Sequence, residues 1–584
     1  MILIDFFMAF YVVFIVPQII FYYNFNFKYS LVVSYGIILS FSFIWILFLL
    51  VFYFKIPDIY LYLIFVVVFI YSFSYLLNQS DNNKNRYIMW LLSLIILIPL
   101  FTLLGTGFID WDAVVSWNRW AIEISENRYM PSGSAYPVLL PAVWSLFYKI
   151  QANRDIWWTA QITLFVLPLF IVSILLTLYN ESKNKTYLLI LLLTYPYLIW
   201  NDTVNGYVDV PVMLFGLLSL ILLYSAEQKK DNEEFDLYIY AALLIAGIAT
   251  ITKQAGLVFL LFGILYVMLN FQFVKSKRKL FLVIILSISY FTSFLLVFYK
   301  TSTSSTGNLS YLENLSYTRA FENKSFEEIY IYLGNNFFNF PDGLLIYGVV
   351  FTIIGLMLFV LKDTRMYRSV GFLSMIFFLL GLYLWIKYFS YDYRNSLWVK
   401  SFIIMTIAIN INIFLSKYIY KFLPAINFSD KIVSFKQKNY LLILFCILIV
   451  LIHLGDAFAY KIQEKSQKKI GDVKTAKQIA SFLNNKPECL RVFTSRQKVK
   501  YNYYVRDVKG NISAAGWSTN QMIAHFEHDC EEGRYFAFGW WNTQTKGWKK
   551  IKELEEKGLI KKINNNWIYF IPRNYLKKET ENVK

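Results

Sequence analysis

Residues 157–179 read WWTAQITLFVLPLFIVSILLTLY, an apolar run without a charged residue, followed closely by Lys183 and Lys185. As a helix such a run is long enough to cross a hydrocarbon layer about 30 Å thick. About fourteen candidate runs follow one another along the chain, at residues 3–23, 30–53, 58–78, 87–104, 157–179, 186–200, 208–226, 238–250, 255–273, 280–299, 343–361, 370–388, 397–416 and 440–455. With 584 residues, 57% of them hydrophobic, 20% aromatic and 16% charged, the chain reads as an α-helical polytopic membrane protein. A soluble enzyme, a disordered chain and a membrane barrel are excluded by that pattern. The run at 238–250 is short for a span, and the first run carries Asp5 with no basic stretch before it, so it reads as an uncleaved helix.

The net charge of +18 is explained by its placement. Lys28, Lys84, Arg86, Lys183, Lys185, Lys229, Lys230, Lys275, Lys277, Arg278, Lys279, Lys362, Arg365 and Arg368 fall in alternate short connections, as the positive-inside rule expects of cytoplasmic loops. The opposite set includes the two longest loops, 105–156 and 300–342, which are poor in cations. Both long loops and the tail are therefore expected on the extracytoplasmic side, in a plasma or inner membrane. Three regions follow: N-terminal helices over 1–86, a main membrane domain over 87–455, and a tail over 456–584 with 25 Lys and Arg against 14 Asp and Glu. Alternating helix-like and strand-like stretches make the tail a candidate soluble α/β domain: a helix over Lys474 to Leu483, strands at Leu490 to Thr494, Arg534 to Trp541 and Trp567 to Pro572, and a helix over Trp548 to Lys557. Cys446, Cys489 and Cys530 make no disulfide framework.

Polar residues without an obvious structural duty gather in the loops assigned outward. Residues 107–123 read GFIDWDAVVSWNRWAIE. At helical spacing Val114, Trp117, Ala121 and Ile124 form an apolar face and Ser116, Arg119, Glu123 and Glu126 a polar one, the pattern of a helix lying in the membrane interface. Asp112 stands at its start, as an N-cap or as a reactive carboxylate. Tyr136-Pro137 and Pro141 break and restart helix in the same loop. Asp209 precedes Pro211 at the mouth of a span; Lys253 lies in a turn between two apolar runs, either snorkelling or binding an anion; Arg394 follows Asp392, either pairing with it or presenting a planar donor to phosphate. His525-Phe526-Glu527-His528-Asp529-Cys530 matches no zinc spacing.

In this order the motifs resemble the polytopic glycosyltransferases of the GT-C fold, in particular a bacterial branch akin to the polyprenyl-phosphate-sugar-dependent mannosyltransferases and aminoarabinose transferases. Trp111-Asp112-Ala113, Trp117, Ala121, Tyr136-Pro137 and Pro141 carry the likeness in the first loop, with Gly206-Tyr207-Val208-Asp209-Val210-Pro211, Lys253 to Gly256 and Tyr391 to Asn395 downstream. The resemblance implies transfer of a sugar from a polyprenyl-phosphate donor to a glycan, lipid or protein acceptor at the outer surface, in cell-envelope synthesis such as cell-wall glycan or lipopolysaccharide. Asp112 would be the general base, with Asp110 second, because an acceptor hydroxyl needs a carboxylate within about 3 Å to take its proton. Lys253 and Arg394 would stabilise the departing phosphate; Tyr207, Asp209, Arg119 and Tyr136 would complete the substrate site. Some relatives hold a divalent cation, Mg or Mn, for which Asp110, Asp112 and Asp209 would be the oxygen ligands. The rival readings are a lipid-linked glycan flippase or other transporter, and a glycan polymerase or ligase. No nucleic-acid partner is implied.

Overall fold

The computed structural model describes residues 2–25, 27–54, 57–77, 84–101, 108, 113–126, 136–151, 157–199, 203–230, 234–302, 350, 353, 355, 369–386 and 393–414, together with short pieces of the tail at 490–492, 513–514, 533–537, 552–553, 555–558, 561–563 and 568–572. Asp110, Asp112, all but the first three residues of the loop expected over 300–342, the run at 440–455, the helix expected over 474–483 and the 525–530 cluster lie outside the described residues. The chain divides into two compact units, one comprising 1–107 and 120–456 and the other 108–119 and 457–584.

The first unit is a helical membrane protein with several spans. Its helices are α1 (Ile2–Phe10), α2 (Val16–Asn24), α3 (Tyr29–Phe54), α4 (Asp58–Leu77), α5 (Lys84–Ile96), α6 (Ile98–Phe101), α7 (Arg119–Ser125, whose first residue falls in the other unit), α8 (Leu139–Ile150), α9 (Trp157–Ser182), α10 (Thr186–Leu198), α11 (Asp209–Glu227), α12 (Glu234–Thr252), α13 (Gly256–Leu269), α14 (Lys277–Ser302), α15 (Val370–Leu384) and α16 (Leu397–Phe414). Among the described residues, seven stretches are long and apolar enough to cross a membrane: Leu3–Asn24, Tyr29–Val51, Thr159–Ser182, Asp209–Glu227, Glu234–Thr252, Lys277–Val297 and Arg394–Ile413. Most are apolar all round, so position in the bundle, and not amphipathic patterning, decides which are enclosed. Helix α11 is the axis: it packs on α9, α12, α13, α15 and α16, and every residue from Asp209 to Ala226 is buried. Helix α14 keeps most of its apolar surface, including Phe281, Leu282, Leu286 and Leu296, on the outside of the bundle.

Prolines reshape three segments. The first span is interrupted by a π-helical turn, Tyr11–Ile15, ahead of Pro17 at the start of α2. The run at 87–104 is two helices, α5 ending at Ile96 and α6 beginning at Ile98, because Pro99 has no N–H to continue the ladder. The segment expected to be a proline-broken loop holds α8, with Pro141 in its first turn, where a missing N–H does no harm. That helix is buried along its length, against α1, α3, α4 and α9. The short run at 238–250 extends back to Glu234, giving 19 residues in α12. Glu234 and Asp236 occupy its first turn, where negative charge is favoured.

Those acids belong to a polar network at one end of the bundle. Glu234 pairs with both Lys28 (2.8 Å) and Lys229 (2.6 Å). Ser30 donates to Glu181 (2.9 Å) and bonds Tyr238 (2.7 Å). Asp236 accepts from the backbone N–H groups of Lys275 and Ser276, and Glu227 from that of Val370. Burial pulls the Lys229 ammonium below its usual value, with Glu234 pulling against it. The connections before α3, α12, α14 and α15, and the ends of α9 and α11, thus share one end, as their common lysine content anticipates.

In the second unit, described residues form a mixed five-stranded sheet of order β2-β1-β3-β5-β4: β1 (Leu490–Val492), β2 (Ser513–Ala514), β3 (Gly533–Ala537), β4 (Lys561–Ile563) and β5 (Ile568–Pro572). Strand β1 runs parallel to β2 and β3, while β5 is antiparallel to β3 and β4, with Tyr535 opposite Phe570. Strands β1 and β5 fall within two of the stretches expected to be strands, and β3 overlaps the third, starting one residue earlier.

Glycines set the close approaches inside the bundle. A Cβ on Gly216 of α11 would lie 2.1 Å from the ring of Phe259 on α13, a ring already stacked on Phe402 of α16 at 5.1 Å. Gly216→Ala is therefore expected to destabilise the detergent-solubilised protein by about 1–3 kcal/mol through overpacking. An unchanged thermal midpoint would show that the ring has room to move.

Candidate functional site

At the other end of α11, about 28 Å away along the helix axis, three chain segments meet. The first is the connection from α10 to α11. Thr203 donates to the Tyr197 carbonyl (2.7 Å), and Gln161 of α9 donates to the Val204 carbonyl (3.2 Å). Gly206 has φ +89°, a conformation that side-chain-bearing residues rarely adopt, so the turn requires glycine there. The chain then enters α11 at Asp209, with Pro211 tolerated in the first turn. Each element of the Gly206–Pro211 motif thus has a local structural reason, and together they put a carboxylate at a helix N-terminus, where the helix dipole favours it.

The second segment is the turn between α12 and α13. The Gly256 N–H donates to the Lys253 carbonyl (2.9 Å), and a Cβ on Gly256 would fall 2.1 Å from the Ala249 backbone. Glycine is needed because α13 starts against the last turn of α12, and that tight reversal is what presents Lys253. The third segment is the 3₁₀ turn Tyr393–Ser396, which leads into α16.

These segments close on each other. The Lys253 ammonium forms an ion pair with Asp209 and donates to Asn395 Oδ1 at 3.1 Å. The Arg394 guanidinium lies over the Tyr207 ring, 4.1 Å from its centroid. Asp209 and Tyr207 are buried, and the side chains of Lys253 and Asp209 keep only 14% and 10% of their exposure. In so enclosed a place an ion pair needs good geometry to offset desolvation, and Lys253 gets it from two directions. Stacking engages the face of the guanidinium, so its N–H donors, which lie in the plane, project around the edge of the ring.

Of the residues singled out in the sequence, the structure brings Tyr207, Asp209, Lys253 and Arg394 together and adds Asn395. Tyr136 lies against Trp120, their rings 6.5 Å apart and near parallel. Arg119 belongs to the other compact unit, at the junction of a π-helical turn, Ala113–Asn118, with α7. The faces expected around it are observed: Trp117, Ala121 and Ile124 are buried, whereas Ser116, Arg119, Glu123 and Glu126 stay partly exposed. Asp110 and Asp112 lie outside the described residues. Among the described residues no three His, Cys, Asp or Glu side chains come together, and Asp209, the one described residue of the expected ligand set, faces an ammonium.

One charged residue here escaped the sequence reading. Lys400, on α16 and only 1% exposed, has its ammonium 5.4 Å from the centroid of Tyr197, at the last turn of α10. The available signal was a lone lysine inside an otherwise apolar run, which is functional by default in a membrane span. No family model matches the chain, and no curated protein and no solved structure does either.

If Lys253 and Asp209 act as one unit, Lys253→Met alone leaves a buried carboxylate without its cation and is expected to lower stability by about 3 kcal/mol. Asp209→Asn added to it should recover part of that loss. Strictly additive losses in a double-mutant cycle of thermal midpoints would show that the two are uncoupled.

Proposed function

We propose that the protein is a membrane glycosyltransferase, which takes a sugar from a polyprenyl-phosphate donor and passes it to an acceptor at the extracytoplasmic face during cell-envelope glycan or glycolipid synthesis. The observation that carries this reading is the convergence of Asp209, Lys253, Asn395, Arg394 and Tyr207 at one end of a membrane bundle. Two cations held rigidly at the edge of a hydrocarbon layer suit an anionic lipid headgroup, since fixed charges in a poorly hydrated cleft act strongly on charge that develops there.

The chemistry divides among the residues as follows. The acceptor oxygen attacks the anomeric carbon, and the bond from that carbon to the phosphate oxygen breaks. Asp112, the assigned base, takes the acceptor proton, with Asp110 beside it in sequence. The departing lipid phosphate keeps the bonding electrons, and Lys253 and Arg394 stabilise the added charge. Asp209 and Asn395 orient Lys253, and Tyr207 orients Arg394. Arg119 and Tyr136, from the first loop, are assigned to substrate binding.

The orientation of the site rests on the network at the opposite end. Lys28 and Lys229 lie there with the connection that carries Lys275, and cations of short loops stay on the cytoplasmic side. The tail is assigned as an extracytoplasmic α/β domain from the spans expected in the sequence and the placement of cations between them.

The test uses purified protein with a radiolabelled polyprenyl-phosphate sugar and a panel of acceptors. Lys253→Ala and Arg394→Ala are expected each to lower kcat/KM by about 100-fold, and Asp112→Asn to abolish transfer. Transfer that survives Asp112→Asn would remove the base assignment. Movement of the labelled lipid across vesicle membranes without transfer would favour a carrier instead.

A further inference from the structure

The connection between α10 and α11 has a cation at each end, Arg394 from the 3₁₀ turn Tyr393–Ser396 and Lys400 from α16, which follows it directly. At its far end Arg394 covers the face of Tyr207 at 4.1 Å, and at its near end Lys400 lies 5.4 Å from the centroid of Tyr197. Both rings are buried, Tyr197 completely and Tyr207 to 9% exposure. Between the two tyrosines the connection is tied back on itself by the Thr203 hydroxyl on the Tyr197 carbonyl and anchored to α9 through Gln161. The connection ends at Asp209, the counter-ion of Lys253.

A lysine at 1% exposure inside a span is functional by default, and the ring of Tyr197 lies within reach of its charge. We propose that Lys400 is a positioning residue. Acting through Tyr197, it clamps the α10–α11 connection so that Tyr207 and Asp209 hold Arg394 and Lys253 in register for an anionic lipid phosphate. The ligand class follows from the proposed function, whereas the clamp itself is independent of it. Lys400 touches neither donor nor acceptor in this arrangement. Its effect passes along Tyr197, the Thr203 bond and the turn at Gly206 to the residues that do.

Hydrogen exchange in the full-length protein tests the clamp without reference to activity. In Lys400→Met and in Tyr197→Leu, the amides of residues 203–208 are expected to exchange about tenfold faster, those of α13 to stay unchanged, and Lys400→Arg to remain within about twofold of wild type. Unchanged exchange at 203–208 in Lys400→Met overturns the proposal, and so does equal acceleration in Lys400→Arg. Equal acceleration in α13 overturns it as well, since the effect would then belong to the bundle as a whole. With the labelled polyprenyl-phosphate sugar, Lys400→Met should raise the donor KM about tenfold with kcat within about threefold. A fall in kcat at unchanged KM would place Lys400 in the chemistry itself. If the wild type transfers nothing, the proposed function fails and the exchange result still decides the clamp.

Discussion

An ammonium and a carboxylate withdrawn together from water, Lys253 and Asp209, fasten one end of this bundle. Neither is tolerable alone at that degree of burial, because the desolvation of a single ion is not offset by anything an apolar helix offers. The pair therefore fixes where α12 ends relative to where α11 begins, and Asn395 brings the start of α16 to the same point. Three helices of the bundle are thereby tied at a common point, and the Arg394–Tyr207 contact lies beside that tie.

The opposite end obeys the same constraint with a different outcome. There Glu234 is shared between Lys28 and Lys229, and Asp236 and Glu227 are spent on backbone N–H groups of neighbouring connections. Every one of those carboxylates has a structural duty. At the Lys253 end, by contrast, the Asp209 carboxylate faces an ammonium and the Arg394 guanidinium lies over the Tyr207 ring, so side chains meet side chains there.

Between the two ends the core is built from close approach. Gly216 admits the Phe259 ring, Gly247 lies against the Ser287 backbone, and Gly381 meets Trp398. Lipid does not drive helices together as water does, so such fits supply the contact that holds spans side by side. Helix α14, with little of its surface enclosed, marks the lipid-facing limit of that packing.

Much of this was legible in the chain. Apolar runs of spanning length predict α3, α9, α11 and α14 because a helix is the one local structure that satisfies its own backbone without water. The alternation of lysine-bearing loops anticipates which connections share an end. Asp209, Lys253 and Arg394 could be picked out because each stands where an apolar run begins or stops. Breaks inside runs were harder to read: Pro99 and Pro141 both stand in the first turn of a helix, α6 and α8, but Pro99 does so within a run that reads as one span. Lys400 was missed because one lysine barely alters the character of a long apolar run. What the sequence determined alone are the properties that each segment carries by itself: helix, span length and terminal charge. The meeting of Lys253 with residues 44 and 142 positions away, and of Arg394 with Tyr207, was decided only by tertiary structure. Contacts at such separations depend on how whole helices pack, and no local pattern encodes that.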